Sequence, residues 1–252
     1  MDPTELIKKE ALRRGYSSKT IKTYCFCVEK FLSKQDKDLK KITKQDIKEY
    51  IDHLIDKGNC GNTINVYLNA IRFLMQEILG KRLLIKIKYS KIPERLPIIL
   101  TKGEITKIIN KIQNKKHRLM IKLMYSAGLR VSELVNLKLK DLELDMDYGY
   151  VRKGKGNKDR LFIIAKSLKN ELIDYVRENK LNNDSFLFKG YNNYHISQRT
   201  VQEIVKNATK KAKIGKRVTC HTFRHSFSTH LIENGYSITS VQSLLGHKSP
   251  ET

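Results

Sequence analysis

The segment "HTFRHSFSTH", residues 221–230, concentrates side chains that could do chemistry, because it holds three histidines and one arginine around two phenylalanines. On a helix, with about 100° of rotation per residue, His221, Arg224 and His225 fall on one face. The two phenylalanines fall on the opposite face. The pattern therefore predicts a helix with a polar face available for chemistry and an apolar face that packs in a core.

The segment alone leaves three interpretations of this polar face open. His221 and His225 stand at i and i+4, a spacing that suits two zinc ligands. However, Thr222 occupies the position of the glutamate of zinc peptidases, and Arg224 would place a permanent cation beside the metal. The face could also be an ordinary solvent-exposed helix surface. The third interpretation is a phosphate site, because a guanidinium fork matches two phosphate oxygens and a histidine can donate a further hydrogen bond.

A phosphate undergoing transfer gathers negative charge, so one arginine is rarely enough and further donors are expected elsewhere. Arg130, in "GLRVSEL", follows a glycine that ends a helix, and Glu133 at i+3 could orient it. Lys155, in "GKGNK", lies between two glycines at a predicted hairpin tip, and His247 follows the glycine of "LLGHKS". Taken singly, these residues are equally typical of a surface ion pair, a basic turn and a favourable charge at a helix C-terminus.

The elements that position these residues can be predicted from capping signals and apolar spacing. Residues 1–82 contain four amphipathic helices, the first starting at Asp2-Pro3 and the third with a capping box in "TKQD". Residues 83–100 hold two prolines and no helical period, which predicts a basic linker. Residues 101–252 begin with a second capping box, "TKGE", and continue with a very apolar helix, a β-hairpin around "GKGN" and further helices. The predicted fold is mainly α with a small β-sheet.

The charge of the chain favours a polyanionic partner. Fifty lysines and arginines against 26 aspartates and glutamates give a net charge of +24, spread over both halves of the sequence. A folded protein this basic repels itself unless it meets a polyanion, and nucleic acid is the leading candidate. No run of 18 apolar residues exists, so we expect no membrane partner. The four cysteines form no disulfide or zinc pattern, which favours reduced thiols and a cytoplasmic location.

The ordered set GLR-x-SEL, the K-G-N-K hairpin, H-x-x-R-H and LLGH resembles the tyrosine recombinase (phage integrase) family, most closely its Xer-like members. The resemblance covers almost the whole chain. It implies an N-terminal helical, SAM-like core-binding domain followed by an α+β catalytic domain. It also implies a site-specific recombinase that cuts and rejoins double-stranded DNA through a 3′-phosphotyrosyl intermediate, as a homotetramer and without a metal, cofactor or small-molecule ligand. The task would be chromosome dimer resolution, or integration and excision of a mobile element.

The resemblance also assigns roles to individual side chains. Arg130 and Arg224 would hold the nonbridging phosphate oxygens, and Lys155 would protonate the leaving 5′-oxygen. His221 would assist proton transfer or donate to the phosphate, to which His247 would also donate a hydrogen bond. The resemblance further implies that Glu133 orients the site and that Lys158 and Arg160 contact backbone phosphates. The helix "SQRTVQEIVKNATKKAK" would lie in a groove of the DNA, with base contacts from Gln198, Arg199 and Gln202.

The sequence departs from the family at one important point. The nucleophilic tyrosine of the family lies about nine residues beyond the position of His247, whereas the sequence given ends at Thr252 and its last tyrosine is Tyr236. On this observation we expect the catalytic domain to be incomplete and the chain as given to be inactive. A non-catalytic DNA-binding module that occupies recombination sites is the alternative, and a metal-dependent nuclease that uses His221 and His225 is a more remote one.

Overall fold

The computed structural model describes residues 2–81, 90–91, 96–152 and 159–246. The chain divides into two compact units, residues 1–95 and 96–252. The division falls within the range 83–100, where the sequence predicts a linker, and much of that range lies outside the described residues. The observed fold is mainly helical with a small sheet, as predicted. None of the helices in the described ranges has the length and apolarity needed to cross a membrane.

The N-terminal unit is built from helices that local capping signals start. The Asp2 side chain accepts from the backbone N–H of Thr4 at the first helix, and a capping box joins Thr43 and Asp46 at the third, which confirms both predicted starts. The last helix continues through π-helical turns, Phe73–Ile78, beyond its α-helical part. The α-helices are α1 Pro3–Arg13, α2 Ser18–Leu32, α3 Lys44–Asp56 and α4 Gly61–Arg72.

The C-terminal unit is organised around α6, the apolar helix that the sequence predicts to be buried. Leu119, Met120, Leu123 and Met124 are at most 1% exposed, and α6 contacts five of its neighbouring helices. The helix therefore forms the centre of the core on which the other elements of this unit pack. The helices of the unit are α5 Lys102–Asn110, α6 Lys115–Ser126, α7 Val131–Asn136, α8 Lys166–Glu178, α9 Gln198–Lys211, α10 Cys220–Glu233 and α11 Ile238–Leu245.

An antiparallel sheet lies beside these helices, with strand order β1-β2-β3. Strands β2 (Tyr148–Val151) and β3 (Arg160–Ile163) pair as the predicted hairpin, with Val151 opposite Arg160. The short strand β1 (Leu142–Glu143) was not predicted, because two residues carry no readable alternation. The predicted hairpin tip with Lys155 falls within residues 153–158, which lie outside the described part of the structure.

Gly128 ends the turn after α6 in a conformation that only glycine adopts easily. Its φ is +57°, and a Cβ there would lie 2.5 Å from the ring of Phe227 and 2.8 Å from the side chain of Leu245. Both the backbone and the packing therefore exclude a larger residue. This turn leads directly to Arg130, so its geometry sets where α7 begins.

We predict that Gly128→Ala lowers the free energy of unfolding by about 2–4 kcal/mol, because overpacking and backbone strain add together. Gly235→Ala is the matched control, since Gly235 also has a positive φ, of +87°, but has no atom within 4 Å of a built Cβ. The control should show only the smaller backbone penalty. Denaturant unfolding of both variants checks this, and equal losses would contradict the packing argument.

Candidate active site

The carboxylate of Glu133, on α7, is the centre of the candidate site. Its side chain is only 4% exposed. Oε2 accepts the backbone N–H of Arg130 at 2.9 Å, and Oε1 accepts Nη1 of the same residue at 2.6 Å. Arg130 is the residue just before α7, in extended conformation, so one carboxylate both caps the helix and fixes the guanidinium. The spacing of i and i+3 thus brings together the pair that the sequence predicts.

Arg160, the first residue of β3, donates to the same carboxylate. Its Nη2 lies 2.7 Å from Glu133 Oε2, and its Nη1 donates to the carbonyl oxygen of Leu244 at 2.6 Å. The side chain is 8% exposed. Both terminal nitrogens are thus engaged within the protein, whereas the sequence predicts that Arg160 contacts a DNA phosphate.

Arg224, on α10, reaches the site from a third direction. It donates from Nη1 to the carbonyl oxygen of Gly128 and from Nη2 to that of Leu245. Its Nη1 also lies 3.7 Å from Glu133 Oε2. Helical spacing alone places Arg224 on an open polar face, but the residue is only 5% exposed. The difference arises because α11 and the turn after α6 cover this part of α10 and offer carbonyl oxygens to the guanidinium.

The three arginines and one carboxylate leave an excess of positive charge in a largely buried place. Burial by itself would raise the pKa of Glu133, but the charge and hydrogen bond of Arg160, together with the hydrogen bonds from Arg130, outweigh it and lower the pKa. Burial, followed by the positive charge of Arg130, lowers the pKa of Arg224 to about 9. A bound anion would relieve this repulsion, so the arrangement is electrostatically prepared for a phosphate.

The two histidines of the predicted polar face lie on the exposed part of α10. His221 stands three residues before Arg224, which places it one turn away on the same side of the helix. Partial burial, and next the neighbouring His221, lowers the pKa of His225. Within the described ranges, no group of three or more histidine, cysteine or acidic side chains could hold a metal ion. The pair therefore has no third ligand of these types in that part of the chain.

The third histidine of the segment belongs to the core. His230 is 7% exposed, and its Nδ1 shares a hydrogen bond of 2.8 Å with the hydroxyl of Tyr125. The Tyr125 ring also packs edge-on against Phe223 and Phe227, the phenylalanines of the predicted apolar face. Phe223 is fully buried and Phe227 partly buried. Helical projection places His230 at the margin of this face, and no neighbouring residue in the sequence indicates its tyrosine partner.

The remaining sequence-predicted residues fall into two groups. Gln198, Arg199 and Gln202 are exposed at the N-terminal end of α9, where Arg199 forms an ion pair of 3.1 Å with Glu203. They are not among the contacts of the arginine cluster. The other predicted residues lie outside the described part of the chain: Lys155, Lys158 and His247.

Comparisons with known proteins identify the family. The sequence model of the phage integrase family matches residues 99–252, which include the whole arginine cluster. The chain belongs to the phage integrase family. A second model, the N-terminal SAM-like domain of phage integrases, matches residues 5–85 and therefore covers the helical N-terminal unit.

Relatives within the phage integrase family are Xer-type tyrosine recombinases. Tyrosine recombinase XerA of Pyrococcus horikoshii is 36% identical over 242 residues, which cover 94% of this chain and 82% of the relative. The crystal structure of XerA recombinase superposes with a TM-score of 0.58 at 29% identity, over 99% of this chain and 90% of that one. A lambda integrase tetramer bound to a Holliday junction has the same fold, with a TM-score of 0.78 at 22% identity, over 96% and 72% of the two chains.

The Glu133 carboxylate should contribute strongly to stability at neutral pH. We predict that Glu133→Gln lowers the free energy of unfolding by about 3–5 kcal/mol at pH 7, as expected when one partner of a buried ion-pair network is removed. Because the folded-state pKa lies below the ordinary 4.5, the carboxylate stabilises the fold above that value and loses its contribution as the pH falls through the folded-state pKa. The difference between Glu133→Gln and the unaltered protein should therefore shrink below pH 4.5.

Denaturant unfolding at a series of pH values measures this difference. Glu171→Gln is the control, because Glu171 forms an ion pair of 2.7 Å with Lys122 but its side chain is 35% exposed. Solvent screens such a pair, so the control should lose much less stability. A Glu133→Gln variant that is as stable as this control at pH 7 would show that the carboxylate does not hold the cluster together.

Proposed function

We propose that this protein is a site-specific DNA recombinase of the tyrosine type, which cuts and rejoins strands through a 3′-phosphotyrosyl intermediate. The observation that carries the proposal is the convergence of Arg130, Arg160 and Arg224 on the single carboxylate of Glu133. A cluster with this surplus of positive charge suits the phosphate of a nucleic-acid backbone. The sequence similarity to tyrosine recombinases supports the same class of reaction.

In this proposal Arg130 and Arg224 perform the electrostatic part of the reaction. Arg130 is the more accessible of them, with 19% of its side chain exposed, and it would donate to one nonbridging oxygen of the scissile phosphate. The positive charge of Arg224 would stabilise the second nonbridging oxygen. Negative charge grows on these oxygens as the nucleophile attacks, and preformed cations in a dry site stabilise that charge most effectively.

Proton transfer is assigned to residues around this cluster. Lys155 would act as the general acid that protonates the leaving 5′-oxygen. His221, exposed on α10, would donate to the phosphate or assist the nucleophile, and His247 would donate a further hydrogen bond. The nucleophile would be a tyrosine, as in the family.

Double-stranded DNA is the proposed partner, with the protein acting as a homotetramer in the cytoplasm, where the DNA lies. The net charge of +24 supplies phosphate contacts throughout the chain. Lys158 remains a proposed phosphate contact, and the exposed Gln198, Arg199 and Gln202 at the start of α9 remain proposed base contacts. Chromosome dimer resolution and integration or excision of a mobile element are the two tasks this chemistry serves.

We predict a covalent protein–DNA adduct when the product of the complete gene meets its site. Duplexes selected by binding from a random-sequence pool are nicked near the expected cleavage point. Cleavage then releases a short fragment that carries the 5′-hydroxyl and diffuses away. Because rejoining needs this hydroxyl, the covalent intermediate accumulates. Adduct should appear as a slower band in denaturing gels, and a chelator should not reduce it. Binding without any adduct would favour a non-catalytic DNA-binding module, and loss of cleavage with the chelator would favour a metal-dependent nuclease.

Arg130→Ala should slow adduct formation by about 100- to 1000-fold, the usual effect of removing one donor to the developing charge. Arg130→Lys should recover only part of the rate, since an ammonium cannot form the paired contacts of a guanidinium. Arg177→Ala is the control, because this arginine of α8 is 77% exposed and pairs only loosely with Asp174, at 3.6 Å. Full activity of Arg130→Ala would refute the assignment of the phosphate site.

A further inference from the structure

Arg160 connects parts of the chain that are distant in sequence. From the start of β3 it reaches Glu133 on α7, at 2.7 Å, and the carbonyl oxygen of Leu244 on α11, at 2.6 Å. No other arginine in the described part of the chain bonds both of these elements at hydrogen-bonding distance, although Arg224 bonds the next carbonyl oxygen, that of Leu245. The hairpin, the capped helix α7 and the end of α11 therefore meet at one guanidinium.

The C-terminal end of α11 depends on these arginines. The last carbonyl groups of a helix have no partner within the helix, and cations are favoured near them. Here the carbonyl oxygen of Leu244 accepts a hydrogen bond from Arg160, and that of Leu245 accepts one from Arg224. Gly246 then ends the helix with a φ of +63°, and a Cβ at this position would lie 2.9 Å from Cδ of Arg160. The helix end thus packs directly on the Arg160 side chain.

The shared carboxylate makes this junction part of the phosphate site. Oε2 of Glu133 lies 2.7 Å from Arg160 and 3.7 Å from Arg224, while Oε1 lies 2.6 Å from Arg130. Removing Arg160 would leave Oε2 with its closest cationic partner gone. Arg224 would then be drawn toward the carboxylate and away from the carbonyl oxygens that now hold it. The two arginines assigned to the phosphate would both change position.

Arg160 itself is placed to support the phosphate site rather than to touch DNA. Both terminal nitrogens point into the protein, and Nε is buried with no hydrogen-bond partner among the described residues. An unsatisfied buried donor is unfavourable, so the two bridging bonds must compensate for it. A lysine could not replace them, since one compact ammonium cannot bridge the carboxylate and the carbonyl in the same fork geometry.

We infer that Arg160 is a positioning residue of the recombinase site, which locks the end of α11 to the Glu133 carboxylate and thereby sets the geometry of Arg130 and Arg224. The inference rests on the proposed function for its effect on DNA cleavage. Its structural part, the locking of α11, stands independently of that function. It replaces the expectation that Arg160 binds a phosphate, and it predicts an effect on the chemical step without an effect on DNA affinity.

The test compares Arg160→Met and Arg160→Lys with the control Arg177→Met. Both Arg160 variants should bind the selected duplex with an unchanged dissociation constant, measured by fluorescence anisotropy. Both should form the covalent adduct about 100-fold more slowly, the effect that a displacement of about 1 Å has on a reacting group. The control should match the unaltered protein in both measurements. Rates are compared at a temperature at which circular dichroism shows each variant to be folded.

Gly246→Ala provides a second route to the same junction, because it keeps every charge while it displaces the Arg160 side chain and strains the backbone at the end of α11. It should also slow the adduct without weakening binding. An Arg160→Lys variant with full activity would overturn the inference, because charge alone would then suffice. Weakened DNA binding in both Arg160 variants would overturn it as well, since it would indicate a direct phosphate contact.

Hydrogen exchange separates this inference from the proposed function. Amides of α11, Ile238–Leu245, should exchange faster in Arg160→Met than in Arg177→Met, because the helix end has lost its lock. Unchanged protection of α11 would refute the inference, whatever the protein does with DNA. Faster exchange in α11 of Arg160→Met, together with a complete absence of adduct from the unaltered protein, would support the locking of α11 by Arg160. Only the proposed recombinase function would then be contradicted.

Discussion

One carboxylate holds the arginine cluster of the C-terminal unit together. Glu133 is nearly inaccessible to solvent, and Arg130, Arg160 and Arg224 approach it from the start of α7, from β3 and from α10. Without that negative charge, three guanidinium groups could not occupy the same part of the interior, because each would repel the others. The start of β3, α10 and the start of α7 are therefore tied together at this carboxylate.

Such a cluster is a poor way to gain stability and a good way to prepare a site. The cost of desolvating charges offsets much of the attraction between them. A protein with hydrophobic residues of similar volume in their place is therefore often as stable. The protein also leaves the charges unbalanced: burial first, and then the charge of Arg130, lowers the pKa of Arg224. Main-chain carbonyl oxygens of Gly128, Leu244 and Leu245 moderate the repulsion without cancelling it. The remaining positive charge is available to a phosphate that arrives already carrying the opposite sign.

The sequence contains most of the fold in local signals. The starts of α1, α3 and α5 are specified by Asp2, Thr43 and Thr101, each of which bonds to a backbone N–H within three residues. The burial of α6 follows from its composition, and the hairpin follows from two apolar runs around glycines. The pairing of Arg130 with Glu133 is equally local, because i and i+3 are neighbours at the start of a helix.

The burial of Arg160 and Arg224 could not be predicted in the same way. Their partners include carbonyl oxygens at Gly128, Leu244 and Leu245, and a main-chain carbonyl has no sequence signature. A basic residue after a basic hairpin tip is most simply interpreted as a phosphate contact, and nothing in the sequence indicates that the Arg160 side chain is only 8% exposed. Likewise, the helical projection of α10 gave the correct face for Arg224 but could not show that α11 covers it.

The bond between α11 and the arginines also orders events in time. The acceptors at Leu244 and Leu245 are more than a hundred positions after Arg130 in the chain. A ribosome therefore makes α7 and the strands β2 and β3 well before the carbonyl groups that hold Arg160 and Arg224. Until those carbonyl groups emerge, the nascent polypeptide has its cations but not their final arrangement, so the arginine cluster is completed only when synthesis has passed α11.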